Sequence, residues 1–98
     1  MRLALGGVGD SVDSMFNAAV QNGRRHGIGF LELQVNMLVA ERERAARQSG
    51  VFERTADQRT KKYNTMIIAV RAAMKELDGS SYAAQRYLAV AKRYEKTA

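Results

Sequence analysis

The sequence predicts an all-α fold: a small four-helix domain with one short N-terminal helix, two long antiparallel helices and one C-terminal helix. Three observations carry this prediction. The glycines cluster at Gly6, Gly7 and Gly9, at Gly23, Gly27 and Gly29, at Gly50 and at Gly79, and the stretches between these breaks hold neither glycine nor proline, the residues that cost a helix most. Within the stretches, apolar residues recur at three- and four-residue steps. The one strand-like alternation, Leu31 to Met37, has only the short Leu3-Ala4-Leu5 as a possible partner, and an unpaired strand leaves its backbone amides and carbonyls unsatisfied.

The first helix is expected from Ser11 to Asn22, with Asp10 as N-cap, Asp13 favourable to the helix dipole and Gly23 as the left-handed terminator. Val12, Met15, Phe16, Ala19 and Val20 share one face. The second is expected from Phe30 to Gln48 and carries two apolar stripes. Phe30, Leu33, Met37 and Ala40 form one, and Leu31, Val35 and Leu38 form the other. A helix apolar on two sides is either central to the bundle or offers one side to a partner, and the central position is the expectation here. Its polar end, "ERERAARQ", pairs Glu43 with Arg47 and Glu41 with Arg44 at helical spacing.

A third helix begins at the capping-box pattern Thr55-Ala-Asp-Gln58 and stops before Gly79. Tyr63, Met66, Ile67, Val70, Ala73, Met74 and Leu77 make its core stripe. The fourth starts at Ser80 or Ser81 and carries Ala83, Ala84, Tyr87, Leu88, Val90, Ala91 and Tyr94 on one side. Helices two and three are expected to form the long antiparallel pair, joined through "GVFERT", with one and four on their sides.

Ninety-eight residues provide one hydrophobic core. Residues 1–9 read as a flexible leader and 10–98 as one helical domain. The glycines interrupt "MRLALGGVG" short of a signal-peptide core, and no run is long and apolar enough to span a membrane. With no cysteine, the chain has no disulfide or thiolate chemistry, which suits the cytoplasm or another reducing compartment.

The residue inventory points away from an enzyme. The single histidine, His26, sits between arginines and glycine in "NGRRHGIG" without a base or acid partner, and no cluster suggests a metal site. "GGVGD" lacks the preceding strand and the following Lys-Ser/Thr of a phosphate loop. No catalytic residue, cofactor, metal or small-molecule substrate is expected.

Interaction chemistry has more support. The net charge is +6, all of it on residues 41–98. Lys61, Arg71 and Lys75, together with Asn64, follow the outer face of the third helix, and Arg86 and Arg93 follow that of the fourth beside Tyr82. Ile68 falls inside the first of these faces as an apolar spot among polar groups. The expected function is a non-enzymatic protein-interaction or assembly protein. Leu31, Val35, Leu38 and Ile68 form its partner interface, and the basic face steers it to an acidic partner. The alternative is nucleic-acid binding through phosphate contacts, with Tyr82 available for stacking. A helix-turn-helix centred on Gly79 does not fit, because Lys75 and Gln85 would occupy its buried anchor positions.

Overall fold

The computed structural model of the chain describes residues 11–47 and 53–96, apart from the side chains of residues 53–59 and 96. Among the described residues there are four helices, α1 (Val12–His26), α2 (Ile28–Arg47), α3 (Glu53–Leu77) and α4 (Ser81–Lys96), and no strand. The alternation from Leu31 to Met37 is therefore wound into α2, where successive residues point in different directions around the axis. The expected leader over residues 1–9, the Asp10 cap and the start of the "GVFERT" link lie outside the described residues.

The ends of α1 differ from the sequence expectation. Ser11 is the N-cap, its Oγ accepting the Ser14 amide at 3.3 Å. The helix does not stop at Gly23. It runs to His26 and ends at Gly27, whose φ of 93° is open to glycine and costly for other residues. Gly23 serves a different purpose. It is buried, and a Cβ at that position would collide with Leu77 Cδ1 and stand 2.8 Å from Leu31 Cδ1. The missing side chain lets α1 cross close to α2 and α3, so the glycine marks a helix crossing. Arg24, Arg25 and His26 thus form the last turn of α1, where the dipole favours positive charge.

Gly27 alone separates α1 from α2, and its carbonyl accepts the Phe30 amide at 3.2 Å. Helix α3 begins at Glu53, so Thr55 lies inside it and is not its cap. Its C-terminus follows the expectation. Gly79 has φ 86°, the Ser80 amide donates to the Lys75 carbonyl at 2.9 Å, and the Gly79 amide donates to the Glu76 carbonyl at 3.2 Å. That pair of bonds is the Schellman pattern, in which a left-handed residue satisfies the last carbonyls of the helix. Ser80 then opens α4, its carbonyl accepting the Ala84 amide at 3.0 Å.

The hub of the fold is α3, a correction to the expected central place of α2. Helices α1, α2 and α4 all pack on α3, whereas α2 and α4 do not pack on each other. The physical reason is the make-up of α3. Thr65, Ile67, Ala69, Val70, Ala72 and Ala73 are all buried, and they cover most of its circumference. The three alanines are small enough to let neighbouring backbones approach.

Two hydrophobic clusters result. One joins Ala19 and Val20 of α1, Leu31, Val35 and Leu38 of α2, and Ile67, Val70 and Ala73 of α3. The other joins Val12, Ala72, Leu88 and Ala91 across α1, α3 and α4. Phe16 packs against both and links them. Helices α2 and α3 run antiparallel, as expected: Arg42 meets Asn64, Val35 lies near Met74, and Leu31 shares Gly23 with Leu77.

Gly23→Ala tests this crossing. Alanine gains about 1 kcal/mol of helix propensity, but overpacking a full site costs about 1–3 kcal/mol. In urea unfolding the variant should be about 1 kcal/mol less stable than the native chain. In a Leu77→Ala background, where the space has been opened, the same change should become neutral or stabilising. A stabilising effect in the native background would show that the crossing is not tight.

Candidate functional site

Because α2 and α4 dock on α3 without touching each other, one strip of α3 stays uncovered between them. Most of the residues on it are polar, with Ile68 the apolar member. Arg71 and Lys75 are exposed, and Asn64 and Ile68 are half-buried. The strip forms the base of a groove with a cavity of about 350 Å³. From α3 the groove takes Arg71, Met74 and Lys75, from α2 Glu32, Val35 and Asn36, and from α4 Tyr87.

Its chemistry is mixed. Val35, Met74 and the Tyr87 ring provide apolar surface, while a guanidinium and an ammonium group are carried one turn apart on α3. Glu32 and Asn36 supply acceptors from the α2 side. Further along the same junction, Arg42 donates to Asn64 Oδ1 at 2.8 Å, so Asn64 is held in place by α2.

Leu31, Val35 and Leu38 do not form a partner face. They are 0%, 8% and 2% exposed and belong to the core against α1 and α3. The other stripe of α2 is the open one, with Leu33 62% and Met37 50% exposed. The two stripes have similar hydrophobicity over residues 30–40, so pattern alone does not choose between them. One signal was available further along. The buried stripe reaches Ala45, which is also buried, by way of half-buried Arg42, whereas the other runs into exposed Arg44.

Ile68 is likewise displaced from its expected role. It is half-buried and packs against the Leu88, Ala72 and Ala91 cluster, because α4 leans over that side of α3.

Of the expected basic face, the fold brings together Arg71 and Lys75. Lys61 is half-buried more than two turns away, and its carbonyl accepts the Thr65 hydroxyl at 2.9 Å. Arg86 and Arg93 are exposed on α4 and do not line the groove. Arg86 instead sits 6.0 Å above the Tyr82 ring. Sequence reasoning did not single out Tyr87, Met74 or Arg42 as site residues, since each also fits an ordinary helix-packing pattern.

The foreseen ion pairs Glu41–Arg44 and Glu43–Arg47 are present at 3.5 and 3.6 Å. They are exposed, so each contributes at most about 1 kcal/mol, and their main effect is to cancel the charge of that end of α2. Lys92 bridges to Asp13 at 3.3 Å and ties α4 to α1. Arg71, Lys75, Arg86 and Arg93 have no ion-pair partner among the described residues, so the uncompensated charge lies on α3 and α4.

Two further observations bear on chemistry. His26 is exposed, with its ring 4.8 Å from that of Phe30. Gln34 is 1% exposed, and neither of its amide atoms has a hydrogen-bond partner. We have no physical account of a glutamine at that position. Among the described residues no helix is long and apolar enough to cross a membrane, and no group of three or more side chains is arranged to hold a metal ion.

The exchange of roles between the two α2 stripes predicts a contrast in stability. Leu38→Ala should cost about 2–5 kcal/mol, as for a buried leucine, and Leu33→Ala should stay within about 0.5 kcal/mol of the native chain. Chemical denaturation of the two variants checks this, and the reverse order would contradict the assignment. No family model matches this sequence, and the searches of curated proteins and of solved structures found no match either.

Proposed function

We propose that this chain is a non-enzymatic interaction protein whose α2–α3–α4 groove receives an acidic, partly apolar segment of a protein partner. The observation that supports this reading is one concavity in which exposed Arg71 and Lys75 stand beside half-buried Met74 and Tyr87. An acidic side chain entering there meets two cations without ion-pair partners. A neighbouring aliphatic or aromatic side chain meets apolar surface that α2 and α4 leave uncovered.

The net charge of +6 would speed encounter with an acidic partner through long-range attraction. Binding of this kind uses charge for approach and orientation and uses the small apolar contact for residence.

A second reading, nucleic-acid binding, has its own observation. Tyr82 is 79% exposed on α4 beside Arg86, with Arg93 further along the same helix. An open aromatic ring with flanking cations suits stacking on an unpaired base together with phosphate contacts.

Affinity capture from native lysate, with and without nuclease, separates the two. The groove reading predicts capture of a protein that survives nuclease and is lost when Arg71→Glu and Lys75→Glu are combined. Capture that disappears with nuclease, and survives that double change but not Arg86→Glu with Arg93→Glu, would favour the α4 reading and remove the groove proposal.

A further inference from the structure

A second face of the molecule makes an argument independent of the groove. On α2, Phe30, Leu33, Met37 and Ala40 follow one another at steps of three, four and three residues, the spacing of the seam in a two-stranded coiled coil. Leu33 and Met37 are the most exposed aliphatic side chains of that helix. Phe30 is half-buried beside His26, and Ala40 is exposed.

Charge favours one class of occupant. The net charge of +6 lies on residues 41–98, and with α2 near neutral the excess sits on α3 and α4, so two copies repel each other there. Helix α2 is different. Glu32, Glu41 and Glu43 balance Arg42, Arg44 and Arg47, and two of the arginines are already paired within the helix. It is therefore a face on which a second copy can approach without a net charge penalty.

We propose that α2 pairs with α2 of a second copy, as a two-fold antiparallel contact along this seam. The side chains are self-complementary in that direction. With Leu33 of one copy opposite Met37 of the other, Phe30 falls opposite Ala40, so a large ring meets a small side chain at both ends of the contact. In the same register Glu41 comes opposite Gly29 at the N-terminal end of the second α2, which favours negative charge, and Arg44 comes opposite His26. A parallel pair would instead set Phe30 against Phe30 and Arg44 against Arg44.

The seam from residue 30 to 40 is about 15 Å long. Three turns of one helix offer fewer than the roughly 20–30 residues a side of a stable interface, so the dimer is reversible and fills at high concentration.

Sedimentation equilibrium of the full chain, from low micromolar to near millimolar concentration, provides the test. The mass should rise from that of one chain towards that of two. Leu33→Glu should weaken association at least tenfold with helicity by circular dichroism unchanged, since Leu33 is 62% exposed. Gln85→Asn, a neutral change at an exposed position of α4, should leave association as it is. The natural chain has no cysteine, so the register can also be read directly. An oxidised equimolar mixture of Leu33→Cys and Met37→Cys chains should give the mixed disulfide dimer well beyond the proportion that random pairing produces. A single-chain mass at every concentration, association unchanged by Leu33→Glu, or a mixed dimer no more abundant than random pairing produces would overturn the proposal.

Discussion

The close wrapping of α3 by its three neighbours is the constraint on which the rest of the structure depends. A helix of 25 residues is about 37 Å long, which accounts for most of the 43 Å long dimension of the molecule. Such a helix can serve three partners only if its side chains let their backbones come near. Ala69, Ala72 and Ala73, all fully buried, make that approach possible, and Gly23 of α1 does the same at the far end of the crossing against Leu77. Longer side chains fill the remaining space. Ile67 and Val70 reach the α1–α2 side, while Leu88 reaches back from α4.

The other surfaces follow from this hub arrangement. Three helices on one axis leave gaps where adjacent helices fail to meet, and α2 and α4 fail to meet above Arg71 and Lys75. A charged side chain facing a full core would need a partner or lose its charge, and Arg71 and Lys75 stand in that gap. The groove and its cations thus share one origin. Helix α2, placed at the rim, buries only one of its two apolar stripes. Of the far stripe, Phe30 packs against the core and His26 while Leu33 and Met37 stay exposed, and this gives α2 its double character.

Much of the fold was legible in the sequence because it rests on local rules. Gly79 ends α3 in the expected way, since a left-handed residue after a long apolar stripe has few other uses. The Glu41–Arg44 and Glu43–Arg47 pairs formed because spacing along a helix fixes which side chains are neighbours. What was misread depends on tertiary approach. Gly23 looks like a terminator until Leu31 and Leu77 are seen pressing on it. Leu31 and Leu33 are the same residue type two positions apart, and only the location of α1 and α3 decides which of them is buried. Ile68 appears exposed on a helical wheel because the wheel does not show α4. Of the five residues read as the basic face, Arg71 and Lys75 lie together because they are one turn apart on one helix, whereas joining them to Arg86 and Arg93 requires knowledge of how α4 is rotated.

The central claim is that α3, and not α2, is the element the molecule is built around. Native-state hydrogen exchange measured residue by residue by NMR tests it most directly, because amides in the most deeply held element exchange only when the whole chain unfolds. The account predicts that the slowest amides lie in α3 between Ile67 and Ala73, with those of α2 from Leu31 to Leu38 opening at lower free energy. Slowest exchange in α2, with α3 opening locally before it, would contradict it.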